Sequence, residues 1–199
     1  MNKFSKATLL LTTLFITQIS DRFEQSIDDV INTMDGVNHQ LTNLPEGDKK
    51  WSMLQCIKHM SIATNVYVKN LSELLANEKQ IEATEGYNGG WMGRYLEKSN
   101  APKENGVLKN KLKTFKWMDP ENQMDRNEVI DEFIVTHQKI IALIKQSEVV
   151  NLDRTKIQTA IPILKLRLGD AYKFLLAHTR RHVVQLQRIK ATVSNGLAD

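Results

Sequence analysis

Two histidines four residues apart are the sequence feature best suited to metal chemistry. His178 and His182 fall in a predicted helix. The i, i+4 spacing places both imidazoles on one side of that helix, with their Cβ atoms about 5–6 Å apart, so both could bind one ion. Residue 179 is threonine, which excludes the H-E-x-x-H zinc protease motif. Alternatively, each imidazole is structural and is hydrogen bonded to a backbone carbonyl or a water.

A third imidazole could come from either of two other histidines. His59 lies in the middle of the second predicted helix, and His137 lies on the apolar stripe of the third. Their spacing in the sequence does not choose between them. His39 falls in a predicted loop, where we expect it to be exposed.

The available ligand types decide which kind of metal site is possible. Cys56 is the only cysteine, which excludes an internal disulfide and a cysteine-based zinc cluster. Three neutral imidazoles would leave coordination positions open, and such an ion can lower the pKa of a bound water to about 7 or activate a thiolate. A histidine-only site therefore favours catalysis over a purely structural role. Cys56 itself is predicted to be a small core residue and not the nucleophile.

Long helices must position these side chains. The 199 residues include only 9 glycines and 4 prolines, fewer than turn-rich sandwiches and barrels usually need. We therefore predict an all-α fold, a four-helix bundle in one domain over residues 1–199 with a core from about 18 to 190. The four predicted helices run from about Leu9 to the break at Gly36, from Ser52 to Ala76, from Arg126 to Gln146, and from Asp170 to Val193.

Capping signals and connections complete this prediction. Ser52 and Gln55 have the spacing of a capping box, and Asp170 is the predicted N-cap of the last helix. A long connection over residues 86–120 joins the second and third helices. Its four glycines at 86–93 surround aromatic residues and serve either in turns or in an aromatic wall over a site. The segment 161–168 is predicted to be extended or irregular.

Composition and charge exclude several classes of protein. Hydrophobic residues make up 41% of the chain and charged residues 25%, which is typical of globular proteins and not of disordered or fibrous ones. The net charge of +4 arises from interspersed acidic and basic residues. The densest basic stretch, Lys103–Lys116, has no repeated basic-aromatic pattern. We therefore expect no nucleic-acid partner.

The N-terminus has some features of a secretory signal. Residues 7–16 are apolar and follow two lysines, but this run is shorter than the about 20 residues that span a bilayer, and no small-x-small cleavage site follows it. Apolar positions continue in helical register to Val37, which indicates one amphipathic helix. We predict a cytoplasmic protein with no membrane partner, with a secretory signal as the alternative.

Several short motifs, distributed over the chain from about Gln18 to Ile189, are similar to the motifs of one known family. They are Lys50-Trp51-Ser52, Gln55 to His59, Gly90 to Tyr95, Lys113 to Lys116, Leu168-Gly169-Asp170, and His178-x-x-x-His182-x-x-Gln185. Together they resemble the DinB-like family of metal-binding four-helix bundles.

The resemblance implies a divalent cation, such as zinc, nickel or iron, at the centre of the bundle. By this resemblance its ligands are His59, His178 and His182, and His137 matches no family ligand. It further implies that many members are homodimers. Better understood relatives are thiol-dependent S-transferases or isomerases that use bacillithiol or mycothiol, and others are metal-dependent hydrolases.

We therefore predict a metal-dependent S-transferase that activates a low-molecular-weight thiol for transfer to a small electrophilic substrate. A metal-dependent hydrolase and a non-catalytic, stress-related binding protein are the alternatives. Gln185 is expected to orient a ligand or a bound water. Arg180 and Arg181 are expected mainly in solvent or in salt bridges, with contact to an anionic substrate as the alternative.

Overall fold

Four long helices form most of the structure, which confirms the predicted all-α class. The computed structural model describes residues 6–77, 87–103 and 114–195. Its elements are α1 Lys6–Met34, α2 His39–Thr42, α3 Met53–Leu75, α4 Trp91–Asn100, α5 Arg126–Gln146, β1 Lys156–Gln158, β2 Lys165–Arg167 and α6 Leu168–Asn195, with single 3-10 turns at Lys116–Met118 and Ser147–Val149.

Capping hydrogen bonds define where α3 and α5 begin. The Ser52 hydroxyl accepts from the Gln55 amide at 3.2 Å, and Gln55 Oε1 accepts from the Ser52 amide at 2.9 Å, so the predicted capping box is present. The Asp125 carboxylate accepts from the amides of Asn127 and Glu128 in the first turn of α5. Both helices accordingly have nearly the bounds that the sequence predicts.

The four long helices pack around one apolar core. α1 and α3 each pack against both α5 and α6, which places α1 and α3 on one diagonal of the bundle. α3 buries residues on several sides because it lies between two neighbours. Residues that are fully buried in this core include Phe23, Leu54, Ile57, Phe133, Ile140 and Leu186. Within the described ranges, no helix combines the length and the apolar character that crossing a bilayer requires.

The start of α6 differs from the prediction. The helix begins at Leu168, so Asp170 is not its N-cap but lies in its first turn. The buried Asp170 carboxylate accepts hydrogen bonds from the Tyr87 hydroxyl at 2.7 Å and from the Gly90 amide at 3.0 Å. Asp170 therefore connects the N-terminus of α4 to α6. Its carboxylate binds this neighbouring segment and does not cap its own helix.

The described part of the long connection is partly helical. It contains the ten-residue helix α4, which packs against α6. Trp91 and Tyr95 are 71% and 66% exposed and do not line the cavity described below, so the aromatic-wall interpretation is wrong for these two. Gly86 and residues 104–113 of the basic stretch lie outside the described residues. The other predicted connection forms an antiparallel hairpin of β1 and β2.

Substitution of Gly93 by alanine tests the contact between α4 and α6. A Cβ at this position would overlap the Asp170 side chain. We expect Gly93→Ala to lower the free energy of unfolding by about 1–3 kcal/mol, as overpacking usually does. Urea denaturation measures this change. Gly47→Ala is the matched control, because its nearest neighbour would be Lys50 Cδ at 3.8 Å. Equal stability of the two variants would contradict the proposed close packing.

Candidate metal centre

Three histidines from two helices converge on one point. α3 supplies His59, and α6 supplies His178 and His182 one turn apart. The Nε2 atom of His178 lies 3.2 Å from Nε2 of His59 and 3.2 Å from Nε2 of His182. Tetrahedral coordination with metal–nitrogen bonds of 2.0–2.1 Å would separate neighbouring nitrogens by about 3.3–3.4 Å. Two of the three separations are close to these values, and the ligand atoms of all three imidazoles lie within 4.8 Å of one another, so the cluster is compact enough to bind one metal ion.

Hydrogen bonds behind two of the rings set their orientation. His59 Nδ1 lies 3.0 Å from the Met118 carbonyl oxygen, and His182 Nδ1 lies 3.0 Å from Gln185 Oε1. A carbonyl oxygen can only accept, so each Nδ1 carries the proton and each Nε2 keeps a free lone pair. Partners of this kind orient metal-binding histidines and raise their basicity as ligands. Gln185, one turn after His182 in the helix, therefore orients this histidine, as the sequence predicts.

Burial keeps the three imidazoles neutral. Desolvation, followed by the charges of His59 and Arg181, lowers the pKa of His178 to about 3. The pKa of His182 is lowered well below its usual range by burial and by the neighbouring histidines, and burial also lowers the pKa of His59. At neutral pH all three side chains are thus in the uncharged form that binds metal ions.

His137 is a core residue and is not part of the histidine cluster. It is fully buried in α5, where its Nδ1 donates to the Phe133 carbonyl at 2.9 Å and its Nε2 lies 3.3 Å from the Thr64 hydroxyl. Burial lowers its pKa to about 4. The choice between the two candidate third histidines therefore falls on His59. His39 is exposed as expected, but it begins the short helix α2 and does not lie in a loop.

The structure confirms the predicted positions of Cys56 and Arg180 but not that of Arg181. Cys56 is completely buried, its thiol donates to the His182 carbonyl at 3.3 Å, and burial raises its pKa, so it has the predicted core role. Arg180 is exposed. Arg181 is only 6% exposed and lines the cavity, which corrects the expectation of a solvent position. The middle turns of α6, from Phe174 to Arg188, face the cavity, and Arg181 shares that face with the histidines.

Sequence reasoning missed the residues that enclose the cluster. The Trp51 ring packs against His59 with a centroid separation of 4.7 Å, and its indole nitrogen donates to Asp119 at 3.1 Å. Trp51 belongs to a motif next to the capping box and could have been identified from that position. The Met118 carbonyl could not, because a backbone acceptor leaves no sequence signal.

The histidine cluster opens into a cavity of about 920 Å³. Its described walls come from the loop before α3, from α3 and α6, from the end of α4, from the turn at 114–119 and from the β hairpin. The lining residues are Glu46, Lys49, Lys50, Trp51, His59, Ala63, Tyr67, Asn100, Thr114, Phe115, Met118, Asp119, Ala160, Ile161, Phe174, Leu175, His178, Arg181, His182, Gln185 and Arg188.

This bundle with its central histidines corresponds to a known class of protein. The family model described as the DinB superfamily matches residues 22–186, so the chain belongs to the DinB superfamily. Members of this superfamily are generally metal-binding. No curated protein and no solved structure matches the chain significantly.

The metal-free protein is expected to lose stability as the pH falls from 7 to 5. The unfolded chain protonates histidines near pH 6.5, whereas folded His178 stays neutral down to about pH 3. Between these values the unfolded state binds a proton that the folded state does not. The free energy of unfolding should therefore fall by up to about 1.4 kcal/mol per pH unit for each such histidine.

Urea unfolding at pH 7 and pH 5 in EDTA measures this dependence. His178→Gln should reduce it, because the substituted side chain does not titrate. His39→Gln is the control at an exposed position and should retain it. The same pH dependence in wild-type protein and His178→Gln would show that His178 is not kept neutral by the fold.

Proposed function

We propose that this protein binds one divalent cation, zinc, nickel or iron, through the Nε2 atoms of His59, His178 and His182. The observation that supports this most directly is the pair of 3.2 Å separations between the Nε2 atoms, combined with the carbonyl partners of two Nδ1 atoms. A single proton on His178 Nε2 could be donated to only one of its two neighbours, whereas a shared cation would satisfy the lone pairs of all three Nε2 atoms. Membership of a generally metal-binding superfamily agrees with this proposal.

The proposed site is of the open, catalytic kind. The group of potential ligand atoms found in the described part of the chain has three members, whereas structural zinc usually has four protein ligands. The remaining positions would face the 920 Å³ cavity, which is large enough for a small substrate beside the ion. A bound cation there would supply Lewis acidity that lowers the pKa of a thiol or a water.

We propose thiol S-transfer as the reaction. The thiolate sulfur would form a bond to an electrophilic carbon, the leaving group would depart with its bonding electron pair, and the thiol proton would pass to solvent. The thiol must be a separate low-molecular-weight molecule, such as bacillithiol or mycothiol, because Cys56 is buried and its pKa is raised. Arg181 and Lys49 line the cavity and favour an anionic reactant.

Hydrolysis is the second candidate, because two carboxylates line the same cavity and could accept a proton from water. They are Glu46 and Asp119. Glu46 already accepts two hydrogen bonds of 2.8 Å from Arg188, and Asp119 accepts one from Trp51. Because both carboxylates already bind protein groups, they are less available to accept a proton from water. We therefore prefer the reaction in which an external thiol bonds to the electrophile.

Turnover with and without an added thiol separates these reactions. Zinc-, nickel- and iron-loaded protein is incubated with a chromogenic aryl halide plus bacillithiol or mycothiol, and separately with a chromogenic ester alone. Accelerated thioether formation that needs both thiol and metal supports the transferase. Metal-dependent ester cleavage without thiol supports the hydrolase. Stoichiometric metal with neither activity would contradict both and indicate a binding protein.

Removal of a single histidine ligand should abolish stoichiometric metal binding. Untagged wild-type protein is expected to hold about one equivalent of zinc or nickel by elemental analysis, and His59→Ala and His182→Ala are expected to hold almost none. His39→Ala is the matched control, because His39 is an exposed histidine outside the cluster. Retention of full metal content by His59→Ala would refute the proposed site.

Gln185→Ala should weaken the metal site without removing it. The substitution deletes the acceptor at 3.0 Å from His182 Nδ1, and the loss of such partners typically costs ten- to a hundredfold in metal affinity. Competition titration with a chromophoric chelator measures the dissociation constant for zinc. An affinity within twofold of wild type would show that Gln185 does not orient the ligand.

A further inference from the structure

The two halves of the cavity differ in chemistry, and helix register shows how they are arranged. Cys56 contacts His182, whereas His59, one turn later in α3, contacts His178, one turn earlier in α6. α3 and α6 therefore run antiparallel along the cavity. Residues after His59 in α3 face residues before His178 in α6, and residues before His59 face those after His182.

Beyond His59 the walls that α3 and α6 contribute are apolar and buried. Ala63 and Tyr67 follow at intervals of one turn, so Tyr67 lies about 12 Å from His59 along the axis of α3. Phe174 and Leu175 face them from α6, and all four side chains are at most 6% exposed. The Tyr67 hydroxyl is hydrogen bonded to Thr159 and to the Ala160 backbone in the β hairpin. We name the space lined by these four side chains the apolar chamber.

In the other direction the walls are charged. Lys49, Lys50 and Glu46 come from the loop before α3, and Arg188 comes from α6, two turns after Arg181. The side chains of Lys50 and Arg188 are each 53% exposed, so this half of the cavity is open to water. The histidine cluster thus lies at the boundary between a charged mouth and the buried apolar chamber.

We propose that the substrate is amphipathic, with an alkyl or aryl group in the apolar chamber and its reacting polar group at the metal. This proposal rests on the proposed metal site. An apolar group is favoured because its transfer from water into the chamber contributes binding free energy, whereas a polar group there would lose its hydration. Ala63 and Phe174 would then determine specificity, because their side chains line the chamber that receives the apolar group.

Alkyl hydroxamic acids test the proposal, because their head group chelates metal ions and the chain length can be varied. Zinc-loaded protein is titrated calorimetrically with the methyl, propyl, pentyl and heptyl members. Affinity is expected to rise about fourfold for each added methylene until the chamber is filled. Equal affinities across the series would overturn the apolar chamber and leave the metal site intact. Absence of bound zinc would overturn both.

Two variants locate the effect. Ala63→Leu should weaken the heptyl compound far more than the methyl compound, because the larger side chain occupies the chamber. Ala76→Leu is the control at the exposed C-cap of the same helix and should bind the series as wild type does. Phe174→Ala enlarges the chamber and should extend the rise in affinity to longer chains, which provides an independent test if Ala63→Leu does not fold. Equal weakening of all members by Ala63→Leu, or no extension in Phe174→Ala, would contradict the proposal.

Discussion

The mutual approach of three uncharged imidazoles is the constraint on which the rest of the structure depends. Two of the rings come from one turn of α6, and the third reaches them because α3 packs beside that turn. The carbonyl acceptors behind His59 and His182 then fix which nitrogen points inward. Burial disfavours protonation, so the same packing that places the rings also keeps them competent to bind a cation.

Local signals in the sequence predicted much of the fold. The capping box at Ser52 and the uninterrupted apolar period of α5 gave helix bounds close to those observed, because both depend only on residues within a few turns. The pair His178 and His182 was identifiable in the same way. The choice between His59 and His137 needed the register of packed helices, which spacing along the chain does not contain.

Longer-range contacts explain the remaining differences. Asp170 resembles a helix cap in the sequence, yet its carboxylate binds a segment about 80 residues away. The sequence indicates a surface position for Arg181, but the face of α6 on which it lies borders the cavity. The helix α4 follows the glycines at 89 and 90 and packs closely against α6 at Gly93, a contact that its local sequence does not indicate. Homodimer formation and the thiol partner stay predictions.

X-ray absorption spectroscopy of the zinc-loaded protein tests the central claim most directly, because it reports the ligands and their distances without a substrate. The account predicts a first coordination shell of nitrogen and oxygen atoms at about 2.0–2.1 Å, with the outer-shell scattering of three imidazoles. It further predicts that His59→Ala, after removal of unbound zinc, gives almost no zinc signal. A sulfur ligand at about 2.3 Å, or a shell without imidazole scattering, would contradict it.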